Sequence, residues 1–334
     1  MNELIVLYAE GPVTITAYAL CLLAGVMLAV AVTTGLAQRM ARRADIPGAG
    51  GPASLPCQGG LSAVSCLSMA MAAIAGAILG GRAFYCLTML EFILVDLGGP
   101  GFLPQLWQGG YNLYGAVLGG MAGIALYAWS VHRPLPALMD LACPGAALVI
   151  AAGRLGEKFT SQGLGHYVET EALHFFPCAV PNIFGDWQLP VFAYEAFAAA
   201  VIFIVCLLMT GRTRPGRVTQ VFVTLLGVSQ VLLESLREDE FIRFGFVRFN
   251  MLAAAVTLGA VLGISLARQT RGKRWSAWQI VRTVLFVLGI ALVILIEFAL
   301  DKSPIDNRLL YAVMALALTV MGAAILREGG TPAA

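Results

Sequence analysis

The chain has 334 residues, 59% hydrophobic and 12% charged, with a formal net charge of +2 and a mean hydropathy of +0.82. A soluble domain carries about a quarter charged residues, so the composition excludes a soluble enzyme, a disordered chain and a disulfide-stapled secreted domain. The small net charge provides no basic face for neutralising duplex phosphates, which excludes a dedicated nucleic-acid binder.

A bilayer core of about 30 Å asks for ~20 apolar residues per helix. That window predicts nine spans, near 13–36, 62–91, 112–131, 137–153, 189–210, 218–236, 248–267, 278–299 and 308–326. Nothing alternates with period two over barrel-strand lengths, so helices are the viable backbone solution. The fold class is therefore an all-α polytopic membrane protein. The N-terminus shows neither the basic n-region nor the small-residue cleavage site of a removable signal peptide.

Three connecting segments are longer than a turn requires. Residues 44–60 read as a flexible loop, and residues 92–111, containing GGPGFLPQLWQGGY, read as a lid or re-entrant stretch. Residues 154–188 hold His166, His174 and Trp187 and form the best candidate for an extracytoplasmic cap.

Arginines and lysines set the orientation. Arg39, Arg42 and Arg43 follow the first span, Arg133 the third, Arg212, Arg214 and Arg217 the fifth, Arg268, Arg271, Lys273 and Arg274 the seventh, and Arg327 the ninth. Every odd-numbered exit is basic, which predicts an outside N-terminus and a cytoplasmic C-terminus. The seven cysteines lie mostly in apolar runs without CxxC or Cys/His spacing. They read as packing residues, with no metal site and no redox pair.

Ionisable residues at membrane depth are costly and mark candidate sites. Here they are Arg82, Asp140, Arg154, Glu195, Glu234 and Arg237. Glu234 and Arg237 stand one helical turn apart, which puts them on one face. The bland reading is that these groups form interhelical ion pairs. The sharper one is an anion pocket for a phospholipid headgroup, because an arginine fork matches phosphate oxygens. The glycines of neighbouring spans also serve close helix packing.

The runs LWQGGYNLYGAVLGG (106–120), PALMDLACPGAALVIAAGRLGEKFTSQGLG (136–165), LPVFAYEA (189–196) and GVSQVLLESLRED (227–239) resemble successive motifs of prolipoprotein diacylglyceryl transferases. ITAYALCLLAG in the first span and ILGGRAFY in the second fit in the same order. The resemblance covers roughly residues 10–268. It implies a seven-helix transferase-like body over 1–268, with 154–188 as its cap, plus two additional C-terminal transmembrane helices in 269–334.

The resemblance implies an inner-membrane enzyme that moves diacylglyceryl from phosphatidylglycerol to the lipobox cysteine of a preprotein, without a cofactor. Phosphatidylglycerol or another anionic phospholipid and the lipobox peptide are the implied partners. Arg154 fits the signature arginine and Gly153, Gly156 and Gly165 its glycines; Tyr18, Glu195, Glu234 and Arg237 fit later or earlier motif positions. The departures are Tyr114 in place of the H-G-G histidine, Glu157 and Thr160 for asparagines, Gln162 for a glutamate, Leu189 for a histidine, Leu226 for a tyrosine and Gln230 for an arginine.

The expected catalytic residues are Arg154, Tyr114 and Glu157, with His166 a further candidate proton acceptor. Arg82, Tyr18, Gln162, Gly165, Glu195, Gln230, Glu234 and Arg237 are the expected substrate-binding residues. Two readings from other classes stand beside this one. One is a non-catalytic paralogue that keeps a phospholipid cleft as an accessory membrane protein. The other is a small-molecule transporter, for which the inverted repeats of that class are not visible.

Overall fold

The computed structural model describes residues 6–10, 13–44, 61–95, 99–106, 109–160, 162–238, 243–244, 247–270 and 275–327. The expected flexible loop falls almost wholly outside them. Among the described residues, nine helices are long and apolar enough to cross a membrane. With no water to satisfy backbone groups in hydrocarbon, each apolar run closes its own hydrogen bonds as a helix.

The first strands, β1 (Val6–Glu10) and β2 (Val13–Thr16), pair antiparallel. Helix α1 (Ala17–Ala44) follows, then α2 (Ala63–Thr88), the short α3 (Leu90–Val95), α4 (Leu113–Ser130) and α5 (Leu135–Gly156). A two-stranded ribbon, β3 (Val180–Pro181) with β4 (Trp187–Gln188), precedes α6 (Val191–Met209) and α7 (Arg217–Leu236). Strands β5 (Arg243–Phe244) and β6 (Val247–Arg248) then lead into α8 (Phe249–Gln269), α9 (Ala277–Lys302) and α10 (Asn307–Leu326).

The chain divides into two compact units. One comprises residues 6–156 and 199–219, so it holds α1 to α5 and the end of α6. Its closest helix pair is α2 with α4, joined by glycines at four-residue spacing. A Cβ added at Gly76 would collide with the Gly119 carbonyl, and one at Gly80 with the Gly115 carbonyl. Lipid gives no hydrophobic drive for helices to associate, so small residues that let backbones touch do this work. Leu36, Met69, Ile124, Leu138 and Leu141 fill the core of this unit.

Asp140 has a local explanation in the same unit. Its carboxylate accepts from Gly216 N at 2.7 Å, Thr219 N at 2.8 Å and Thr219 Oγ1 at 2.6 Å, so it caps the start of α7. A carboxylate on orphan amides at a helix N-terminus is stabilised by both hydrogen bonds and dipole.

The other unit comprises the described residues of 157–198 and 220–327. Its last two spans start on deliberate caps. Ser276 and Gln279 form a reciprocal capping box at α9, and Asp306 caps α10 by accepting from Arg308 N at 2.9 Å. The Arg282 side chain is fully buried between helix ends, donating to Ala324 O at 2.6 Å, Ile325 O at 3.1 Å and Gln269 Oε1 at 3.0 Å. A cation on terminal carbonyls satisfies the acceptors that α10 cannot bond internally.

Candidate functional site

Seven of the expected site residues fall in the unit that holds residues 157–198 and 220–334: Glu157, Gln162, Gly165, Glu195, Gln230, Glu234 and Arg237. The centre is Arg237, 2% exposed and just past the end of α7. Its Nη1 donates to Glu195 Oε2 at 2.7 Å and to Glu157 Oε2 at 3.3 Å. Glu195, in the first turns of α6, also accepts from Gln230 Nε2 at 3.1 Å. Glu234 accepts instead from Asn250 Nδ2 on α8, at 3.0 Å. Arg248 donates to the Arg237 carbonyl oxygen.

The ion pair therefore differs from the one that helical spacing predicts. Arg237 has left the helix and pairs in a β-bridge with Gly165, so the one-turn relation to Glu234 no longer sets its direction. The partners that reach it lie 42 and 80 residues away. The cluster holds three carboxylates (Glu157, Glu195, Glu234) against two guanidiniums (Arg237, Arg248). An incoming anion at Arg237 would compete with Glu157 and Glu195, so the fork here binds its own carboxylates.

The segment from Gly163 to Gly165 must lie close to this cluster. Gly163 has φ +72°, and a Cβ there would strike both the Glu157 carboxylate and Phe192. Gly165 N donates to Leu189 O at 2.8 Å, and a Cβ on Gly165 would meet the Leu236 carbonyl. Thr160 Oγ1 donates to Glu157 O at 2.9 Å and closes the turn that presents the glutamate. Gln162 is exposed.

Two histidines of this unit are held differently. His174 is stacked on Trp187, with centroids 4.7 Å apart, and its Nε2 bonds the Val168 carbonyl at 2.9 Å. His166 is exposed, and its Nε2 lies 3.2 Å from the hydroxyl of Tyr311 on α10. That hydroxyl donates to Ser235 O at 3.3 Å. The Tyr311 contact was not legible in the sequence, since nothing in a ninth apolar run marks one tyrosine out.

The remaining four expected residues belong to the other unit. Arg154 stands half-buried in the last turn of α5. Tyr18 packs in the first turn of α1, its ring 3.0 Å from where a Cβ on Gly156 would sit. Tyr114 is 3% exposed in the first turn of α4, capped there by Asn112 Oδ1 on Tyr114 N at 2.9 Å.

Arg82 is also buried, and its guanidinium is occupied by backbone. It donates to Phe102 O at 2.8 Å, Leu103 O at 3.4 Å, Gly110 O at 3.3 Å and to the Gly109 carbonyl. The guanidinium also lies 4.7 Å from the Phe102 ring centroid. An arginine has five N–H donors, so four bonds to carbonyls make Arg82 the clamp of the expected re-entrant segment.

The sequence profile described as prolipoprotein diacylglyceryl transferase matches residues 5–295. It takes in most of α9 and stops before α10. Among curated proteins, the chain is similar to one from Bifidobacterium adolescentis, 28% identical over 290 residues, covering 80% of this chain and 79% of the relative. A Streptococcus pneumoniae protein is 26% identical over 264 residues, covering 77% and 90%. One from Paenarthrobacter aurescens is 28% identical over 288 residues, covering 80% and 83%. All three carry the name phosphatidylglycerol–prolipoprotein diacylglyceryl transferase.

Proposed function

The chain belongs to the prolipoprotein diacylglyceryl transferase family, and on that premise we propose that it is an active transferase of the bacterial inner membrane. Its donor is phosphatidylglycerol and its acceptor the lipobox cysteine of a preprotein. The observation that carries this reading is the match over residues 5–295, which reaches into both units and takes in every motif-bearing residue. The accessory-protein reading has no support, since the curated relatives bear the transferase name.

In the reaction the cysteine sulfur attacks the terminal glyceryl carbon of the donor. An S–C bond forms, the C–O bond to phosphate breaks, and glycerol phosphate leaves with the electron pair. The thiol proton must pass to an acceptor. Arg154 is assigned to the phosphate, where its fork offsets charge that builds on the leaving oxygens. Tyr18, beside Gly156, lines the approach to that arginine's helix end.

Glu157, Glu195, Gln230 and Arg237 hold one another and set the backbone of the Gly163–Gly165 segment. A network of buried charges that hydrogen-bond one another is rigid, which suits positioning more than turnover. Glu157 is committed to Arg237, which makes it a poor proton acceptor. The proposed orientation is N-terminus outside and C-terminus cytoplasmic, with residues 154–188 as the outer cap.

Complementation tests the reading. Expressed in a bacterium depleted of its own diacylglyceryl transferase, the chain should restore growth and lipoprotein modification. Correct membrane insertion without either would overturn it.

A further inference from the structure

We propose that α10 is part of the reaction centre, with Tyr311 holding His166 as the proton acceptor for the incoming thiol. The proposal rests on the transferase reading and names a residue for its unassigned proton step.

Hydrogen-bond counting carries the argument. A carbonyl oxygen can only accept, so the Tyr311 hydroxyl spends its single proton on Ser235 O. Both bonds form together only if the His166 Nε2, 3.2 Å from the same hydroxyl oxygen, carries the hydrogen and donates it. A neutral imidazole protonated at Nε2 leaves its Nδ1 lone pair open. Among the described residues Nδ1 has no hydrogen-bond partner, and the side chain is exposed. Tyr311 thus fixes both the tautomer and the ring, as a third group does for the base of a catalytic pair.

His166 directly follows Gly165, whose backbone bridges to Arg237. Leu189 N donates to His166 O at 3.1 Å, so the backbone that carries the imidazole is tied on both sides. Ser235, which takes the Tyr311 proton, lies between Glu234 and Arg237 in sequence. One hydroxyl on α10 therefore ties the glycine segment to the end of α7. His174 shares the Nε2–H tautomer through its bond to Val168 O, but its ring is half-buried and stacked on Trp187, whereas His166 is exposed.

The profile match ends at residue 295, whereas α10 begins at Asn307. A helix outside the matched stretch thus supplies a positioning residue, and Tyr114 stands where the resemblance places the family's histidine. The proposed imidazole is carried by a different segment of the chain. In the balanced step, the thiol proton passes to Nδ1 as sulfur bonds to the glyceryl carbon and glycerol phosphate departs.

The test uses the full chain in lipid nanodiscs with phosphatidylglycerol and a lipobox peptide. His166→Ala should lower kcat by about 100-fold or more, the scale of a general base, with KM for the lipid unchanged. Added imidazole should restore part of the rate. Tyr311→Phe should lower kcat roughly threefold to tenfold, the worth of one hydrogen bond, and should cost nothing further in the His166→Ala background. An activity-independent readout is nitrogen NMR of histidine-labelled protein, with the His166 signal assigned from the His166→Ala spectrum. Wild type should show the Nε2–H tautomer and Tyr311→Phe a mixture. Full kcat in His166→Ala, or an Nδ1–H tautomer in wild type, overturns the proposal. A wild-type chain that shows the tautomer but transfers nothing refutes the transferase reading instead, and with it the role of His166 as base.

Discussion

Arg237 Nη1 lies 2.7 Å from Glu195 Oε2, across 42 residues of sequence, with both side chains buried. Two charges removed from water repay their desolvation only when each is fully bonded. Here Gln230 takes the second oxygen of Glu195, and Glu157 shares the arginine. Removing one member of such a network leaves an uncompensated buried charge.

Arg237→Ala should therefore destabilise the protein by about 3–5 kcal/mol. Thermal unfolding in detergent measures it. Arg237→Met together with Glu195→Leu should cost less than Arg237→Ala alone, since no lone charge remains on that pair. Equal losses would show that the pair adds nothing beyond packing.

The clamp at Arg82 gives a second expectation. Arg82→Lys replaces a planar fork on carbonyls of Phe102, Leu103, Gly109 and Gly110 by a point charge. Limited proteolysis should then cut within residues 99–112 faster than in wild type. A loss of about 1.5–3 kcal/mol per charge-assisted bond sets the scale. Unchanged cleavage would remove the clamp role.

Close backbone contact between α2 and α4 makes a third. Gly119→Val places two extra methyl groups and a Cβ against the Gly76 carbonyl, whereas Gly101→Ala meets nothing. The first should lower the melting temperature markedly, on the ~1–3 kcal/mol scale of overpacking, and the second should leave it within error. Similar melting temperatures for the two would argue against the contact.

Orientation is checked by thiol labelling. With the other cysteines replaced, Cys178 in the proposed outer cap should react with an impermeant reagent in intact cells. A chain retaining Cys57 alone should label only after lysis. The reverse pattern would invert the topology.

These expectations also show what a single chain discloses. The nine spans were legible because lipid forces every apolar run of sufficient length into a helix. Their ends were less so. The first run was expected over 13–36, but Val13–Thr16 pairs with Val6–Glu10 and the helix runs on through Arg39 and Arg42 to Ala44. Neither strand pairing nor a charged helical extension leaves a hydropathy mark.

Within the site, the sequence marked Glu195, Glu234 and Arg237 as unusual residues for their depth, and Glu157 and Gln230 as departures from the motifs it resembles. It could not say that Arg237 would leave its helix and turn from Glu234 to Glu195. That choice depends on the bridge to Gly165, a tertiary contact across 72 residues. Asp140 read as a buried charge until its three bonds at the start of α7 were placed. Long-range hydrogen bonds carry no periodicity, so pattern reading cannot find them.

The most direct measurement of the central claim is mass spectrometry of a synthetic lipobox peptide incubated with purified protein and phosphatidylglycerol vesicles. A thioether-linked diacylglyceryl adduct should form on the cysteine, with release of glycerol phosphate. Both should be strongly reduced with Arg154→Ala and recover in part with Arg154→Lys, because a point charge lacks the fork. No adduct from well-folded wild-type protein, or an undiminished adduct from Arg154→Ala, would contradict it.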